Sequence, residues 1–246
     1  MGKAKKARLD LLLTRKGYYR SRERSRRAIM AGDVIIDGRP ATKPGHQYRE
    51  DAVIKIKEKP RYVSRGGDKL AGALEDFSLP VGGKTALDAG ASTGGFTDCL
   101  LRAGARRVYC FDVGKGQLDW SLRRDSRVIV REGYNIRYLK SADIEEKPDL
   151  VTVDVSFISL ALVLPPLEKV LGIGGNILAL IKPQFEAGRE KVGRGGVVRD
   201  PAVHREVIEK IKAFSRNLGL NSRGIRESKL EGPAGNKEFF ILLNRG

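Results

Sequence analysis

The sequence predicts an α/β protein: a mainly parallel sheet flanked by helices, preceded by a small, strongly basic α+β module. Three observations predict it. From Asp68 onward, short apolar strand patterns alternate with amphipathic helical ones, as in a parallel sheet with crossover helices. A run of small residues, Gly90-Ala-Ser-Thr-Gly-Gly95, joins the first of these strands to a helix. The first 60 residues carry 17 Lys and Arg against 7 Asp and Glu, more than half of the chain's net +17.

Composition narrows the function classes. With 246 residues, 41% of them hydrophobic, the chain suits an ordinary domain plus a small one and is not disordered. The charge points to a polyanionic partner or an acidic membrane surface. The longest uncharged stretches, residues 155–167 and 170–181, fall short of the roughly 20 apolar residues that span a bilayer. No membrane insertion is expected. Cys99 and Cys110 have no Cys or His companion at metal-ligand spacing, so both read as small core residues and no metal is expected. Behind Met1-Gly-Lys-Ala-Lys-Lys6 there is no apolar stretch of signal-peptide length, and a cytoplasmic location is expected.

In the basic module, Leu9, Leu12 and Leu13 share one helical face, and Gly17 is placed to stop that helix. Ser21 caps a second helix, residues 22–31, which ends at Gly32. Val34-Ile-Ile36 reads as a strand entering a hairpin turn at Asp37-Gly38, and residues 53–56 alternate as a closing strand. Arg20, Arg22, Arg24, Arg26 and Arg27 crowd the second helix, with Arg22 and Arg26 one turn apart. Such a cluster repels itself unless phosphates or solvent screen it. The overall charge favours nucleic acid. The stretches around Lys6–Leu13 and Ser21–Gly38 resemble the S-four (αL-motif) RNA-binding domain. That resemblance implies a structured RNA partner and says nothing about chemistry. Arg8 and Arg65 join the RNA-contact candidates. Pro60 and Gly66-Gly67 suggest a linker over 60–66, between a module of residues 1–59 and a second domain of residues 67–246.

The second domain's strand candidates are residues 85–89, 107–112, 128–131, 150–154, 177–181, 223–227 and 238–243. Asp200-Pro201 opens its clearest helix with a cap and an N1 proline; Val203, Val207, Ile208, Ile211, Phe214 and Leu218 form one apolar face. The small-residue loop misses the G-x-G-x-x-G dinucleotide spacing. Asp88 and Gly90 instead fit D-x-G-x-x-x-G, which places a carboxylate near an amino-acid-like ligand. Gly90, Ala91, Ser92, Thr93, Gly94, Gly95 and Phe96 would offer close backbone and a helix N-terminus. Asp112 ends the next strand, where an acid accepts from a ribose diol. Asn135, after the third strand, is placed to lie near an adenine; Asp143 lies in the same region, and Asp98 reads as helix surface. The combination resembles the S-adenosyl-L-methionine (SAM) loop of Rossmann-like class I methyltransferases, and implies SAM as cofactor.

Methyl transfer from a sulfonium needs an acceptor held in line and a route for its proton. After the fourth strand, Asp154-Val-Ser-Phe-Ile-Ser159 sets a carboxylate at a strand end, without the Asn/Asp-Pro-Pro-Tyr clamp that suits an amine acceptor. After the fifth, Lys182-Pro-Gln-Phe-Glu186 sets a lysine at the mouth of the crevice, where it can polarise a weakly acidic hydroxyl. Lys69 and Glu238 are two further charges that one crevice could gather.

Val63-Ser-Arg-Gly-Gly-Asp-Lys-Leu70, the Asp88–Asp98 stretch, Asp154-Val-Ser-Phe-Ile-Ser159, Lys182-Pro-Gln-Phe-Glu186 and Gly235-Asn-Lys-Glu-Phe239 follow the basic module in order. Across nearly the whole chain they resemble the TlyA (hemolysin A) family of ribosomal RNA 2′-O-methyltransferases, with an FtsJ-like catalytic domain. The resemblance implies ribose 2′-O-methylation, of cytidine, in structured ribosomal RNA or ribosomal subunits. It also implies a tetrad of Lys69, Asp154, Lys182 and Glu238. In that scheme Lys182 activates the 2′-hydroxyl, Asp154 orients it beside the methyl sulfonium, and Lys69 and Glu238 position the acceptor. Arg189 and Arg194, set among Gly188, Gly193, Gly195 and Gly196, read as a flexible RNA-contacting lid. A monomer is expected. The rivals are a non-catalytic RNA-binding or ribosome-assembly factor, a membrane-active hemolysin, and a methyltransferase of bases or small molecules. The intact loop and tetrad oppose the first, the absence of a spanning or amphipathic segment the second, and the lysine-centred site the third.

Overall fold

The computed structural model describes residues 5–57 and 60–246, and the chain divides into two units, Met1–Lys59 and Pro60–Gly246. The first unit runs β1 (Lys6–Arg8), α1 (Leu9–Arg15), α2 (Arg22–Met30), β2 (Val34–Ile36), β3 (Arg39–Pro40), β4 (Gln47–Arg49) and β5 (Ile54–Ile56). Gly17, at φ +77°, ends α1, and the Tyr18 N–H turns back to the Leu13 carbonyl at 3.0 Å. The Ser21 hydroxyl accepts from the Arg24 N–H at 3.3 Å, capping α2. Asp37 and Gly38, at φ 49° and 79°, turn β2 into β3, and β5 pairs on the other side of β2. Leu9, Leu12, Leu13, Ile29, Val34 and Ile36 form the core between helices and sheet. The β1–β4 pair was not legible beforehand, because three-residue strands with little burial leave no alternation to read.

The second unit contains α3 (Arg65–Asp76), β6 (Thr85–Ala89), α4 (Gly95–Arg102), β7 (Arg107–Asp112), α5 (Trp120–Arg123), β8 (Val128–Glu132), β9 (Leu150–Val153), α6 (Leu160–Val170), β10 (Asn176–Ile181), α7 (Pro183–Glu186), α8 (Pro201–Asn217), β11 (Leu220–Glu227) and β12 (Phe239–Arg245). Seven strands form one sheet in the order β11-β12-β10-β9-β6-β7-β8. Five are parallel, and β12 inserts antiparallel between β10 and β11. This is a Rossmann-like open sheet. Alternation along each strand feeds two cores. Leu87, Phe111, Val153, Ile181 and Ile241 pack with α6 and α8 residues on one face, while Ala86, Cys110, Leu178 and Phe240 pack with α3 and α4 residues on the other. Both cysteines are buried there, free of any disulfide.

Residues 60–66 are not a free linker within this unit. Tyr62 is buried, Arg65 and Gly66 begin α3, and a Cβ on Gly67 would stand 2.2 Å from Tyr62 Cγ. The glycine there serves close packing rather than flexibility. Asp98 is likewise buried, not surface: it accepts from the Val63 N–H at 3.0 Å and from Arg102 Nε at 2.7 Å.

Candidate active site

The chain runs from β6 outward through β7 and β8, then returns to lay β9 on the other side of β6. Ligands of open α/β sheets bind at such a switch point, beyond the carboxyl ends of the strands. Three strand ends meet there: Ala89 of β6, Val153 of β9 and Ile181 of β10. Each is followed by a residue that the sequence singled out, namely Gly90, Asp154 and Lys182. The fourth contribution comes through β12. Its antiparallel register ends at Ile181 opposite Phe239, so one more step sets Lys182 against Glu238.

A cavity of about 740 Å³ opens over these ends. Lys69, Asp154, Lys182 and Glu238 all line it, with Gly90, Ala91, Ser92, Thr93, Gly95 and Phe96 along the loop side. The charges form two pairs. Lys69 Nζ donates to Glu238 Oε2 at 2.5 Å, with both side chains almost wholly buried. Lys182 Nζ lies 2.5 Å from Asp154 Oδ1 and donates to Ser156 Oγ at 2.9 Å. The Asp154 contact is ionic rather than a hydrogen bond: Oδ1 is buried and receives no well-directed donor from any described residue. With Lys182 as its ionic partner, that carboxylate lines the cavity.

The loop is shaped by its neighbours. The Gly90 N–H donates to the Phe111 carbonyl at 2.8 Å, and the Asp154 N–H to the Ala89 carbonyl at 2.9 Å. Ser92 sits in the left-handed region at φ 48°, held by a 2.8 Å hydrogen bond from its N–H to Asp112 Oδ2. Gly94 turns into α4 with the Leu118 and Leu122 side chains against it, and does not line the cavity.

Other expected cofactor residues stand outside the cavity lining. Asp88 is fully buried beneath the loop, where Thr97 Oγ1 donates to it at 2.7 Å and Thr152 Oγ1 at 3.1 Å. Burial pushes its carboxyl up to about 7 against these two hydroxyl donors. It braces the loop instead of facing an amino-acid-like ligand. Asp112 holds the Ser92 and Gly114 N–H groups, one on each oxygen. Asn135 caps a short 3-10 turn by accepting from the Arg137 N–H at 3.1 Å. Asp143 takes the Tyr134 hydroxyl at 2.6 Å, which holds its carboxyl below the usual range.

The cationic candidates divide. In the first unit, Arg8 and Arg22 both bind the buried Asp10, at 3.1 and 2.9 Å. Arg20, Arg24, Arg26 and Arg27 are exposed, and none has a carboxylate partner among the described residues. In the second unit, Arg65 lines the cavity and donates to the Glu231 carbonyl at 3.2 Å. Arg189 and Arg194 are exposed, but their loop is tethered. Lys191 binds Glu206, the Val198 N–H donates to Asn236 Oδ1 at 3.0 Å, and Asn236 Nδ2 donates to the Gly196 carbonyl at 2.9 Å.

Sequence reasoning passed over several lining residues: Ser156, Phe157, Gln184, Phe185 and Asn236. Phe157 adopts φ +61°, is 90% exposed, and approaches Phe185 with ring centroids 5.0 Å apart. All five lie inside or beside quoted motifs, yet only burial and position separate them from ordinary loop residues. Glu186, last in the lysine motif, caps α6 through the Leu160 N–H and the Ser159 hydroxyl, both at 2.6 Å.

The FtsJ-like methyltransferase family matches residues 62–245, and the S4 domain matches residues 7–54. The chain is 48% identical to YqxC of Bacillus subtilis, over 98% of this chain and 86% of that protein. It is 46% identical to the Mycobacterium tuberculosis 16S/23S rRNA (cytidine-2′-O)-methyltransferase TlyA, over 98% of this chain and 90% of that protein. A solved structure from Streptococcus thermophilus, named for hemolysin, superposes with TM-score 0.75 at 45% identity, covering 99% of this chain and 90% of that one.

Proposed function

Because the chain belongs to the FtsJ-like methyltransferase family and carries an S4 domain, we propose that it methylates the ribose 2′-hydroxyl of cytidine in ribosomal RNA, with SAM as donor. The observation that carries the reading is the pair of lysine–carboxylate contacts, Lys182–Asp154 and Lys69–Glu238, gathered in one cavity beside the Gly90–Phe96 loop. A lysine-centred site suits a hydroxyl acceptor, whose proton must be taken up while little other covalent help is needed.

The residues fit the cofactor. SAM supplies an electrophilic methyl group on a sulfonium. Gly90, Ala91, Ser92 and Thr93 bring backbone close enough to hold it, and the Asp154 carboxylate, paired with Lys182, puts negative charge beside it. Asp112, with spare lone pairs beyond its two backbone donors, is the residue to receive a ribose diol. Lys182 directs its Nζ between Asp154 and Ser156, at the position from which the ammonium can polarise the acceptor hydroxyl and the free amine can take its proton. Lys69 and Glu238 form a second, buried pair lining the same cavity. With SAM bound, its methyl group would be the electrophile for the acceptor oxygen, and Lys182, as the free amine, would be placed to receive the hydroxyl proton. The S4 domain docks the RNA by its exposed arginines.

The test is incubation with ribosomal subunits, naked rRNA and methyl-labelled SAM, followed by nucleoside digestion. The expected product is a 2′-O-methylated cytidine. A methylated base, or no label despite SAM binding, would overturn the reading. Among the described residues no helix is long and apolar enough to cross a membrane.

A further inference from the structure

The amide of Gln184 is a polar side chain of the cavity that the proposed chemistry leaves unused. It lines the cavity, makes no side-chain hydrogen bond with any described residue, and its Oε1 is buried without a partner. A buried unmet acceptor costs about 1–3 kcal/mol, so a position that keeps one is waiting for a donor from elsewhere. Its place says which ligand brings that donor. Gln184 stands two residues beyond Lys182, in α7 and beside Phe185, whose ring meets Phe157 at 5.0 Å. The cofactor loop follows β6; α7 follows β10, on the side of the lysine that handles the acceptor.

Resting on the ribose methyltransferase reading, we infer that Gln184 binds the base of the acceptor nucleotide and helps determine which nucleotide is methylated. An amide carries an acceptor and a donor side by side. The pairing edge of cytosine presents the complement, an exocyclic amine beside a ring nitrogen acceptor. Two such bonds hold the base, and through it the ribose, so that the 2′-oxygen is kept at Lys182. Lys182 pairs ionically with Asp154 and donates to Ser156 on the sugar side, whereas Gln184 is left for the base.

The experiment pairs a protein variant with a substrate variant. Gln184→Leu keeps the side chain's size and removes the amide. The RNA is whichever substrate the wild type methylates, prepared with its target nucleotide either intact or abasic, the 2′-hydroxyl being retained. Gln184→Leu is expected to lower kcat/KM on intact RNA about 10- to 100-fold, with the Kd for SAM unchanged. On abasic RNA, wild type and variant should perform alike. An equal additional loss on abasic RNA would show a structural role, and a weakened SAM affinity would place the amide on the cofactor; either overturns the assignment. Absence of ribose methylation by the wild type on every rRNA substrate fails differently: it removes the enzymatic reading, and this inference with it.

Discussion

Gly90 and Asp154 meet backbone to backbone: a Cβ at position 90 would lie 2.4 Å from the Asp154 carbonyl oxygen. The loop after β6 and the carboxylate after β9 are therefore set by one contact. Gly90 also sits at φ +89°, a region L side chains rarely adopt. Gly90→Ala should destabilise the second unit by about 1–3 kcal/mol and shift Asp154 off Lys182. Urea unfolding and SAM titration check both, and a variant of wild-type stability with intact SAM binding would contradict the contact.

Lys182→Ala should abolish methylation while SAM binding stays within a few-fold of wild type, since the lysine acts on the acceptor. Retained turnover would remove Lys182 from the chemistry.

Lys69 and Glu238 call for a double-mutant cycle. Glu238→Gln or Lys69→Met alone leaves one buried charge unmatched, at a cost of about 3–5 kcal/mol. The double variant, with neither charge, should recover much of that stability but not the activity. Additive losses would mean the pair is not coupled.

Asp88 gives a pH signature. Its folded carboxyl is raised to about 7, burial outweighing the Thr97 and Thr152 hydroxyls, against an unfolded value near 3.8. The folded state thus holds a proton that the unfolded chain has released between about pH 4 and 7. Stability from this group is present below pH 4 and is lost as pH rises through 7. Asp88→Asn should match wild type near pH 4 and become the more stable of the two by pH 8, as measured by denaturation across that range. A constant difference would refute the shift.

For RNA, Arg24 and Arg27 are the informative positions. Arg22 is tied to Asp10, whose carboxyl is held down to about 2: burial opposes its ionisation, but the Arg8 and Arg22 guanidiniums overcome that. Arg24→Ala with Arg27→Ala should weaken rRNA binding and flatten its dependence on salt, with the fold intact. Arg22→Ala should instead also lower stability. An unchanged salt slope in the first variant would move the docking face elsewhere.

The parallel strands were legible because buried strands of this type read as short apolar runs, and their ends could be counted to Asp154 and Lys182. Helix caps at Ser21 and Asp200 were legible because a side-chain oxygen there has one local task. What stayed hidden depends on contacts far apart in the chain. Asp98 looks like a surface acid until Val63 arrives over it. Gly67 looks like a hinge until Tyr62 packs on it. Asp88 sits on a strand whose inward face cannot be told from its ligand-facing end by spacing alone. Gln184 carries no pattern; only the lack of a partner marks it.

The insertion of β12 between β10 and β11 has a kinetic meaning. Lys69 and Glu238 are 169 residues apart, so their half of the cavity closes only when the most distant segments of the second unit have met. The cofactor loop, β6 and β9 need no such long-range event. Conditions that peel β11 and β12 from the sheet edge would silence turnover while SAM still binds, so activity is the earlier casualty on warming and the last property regained on refolding.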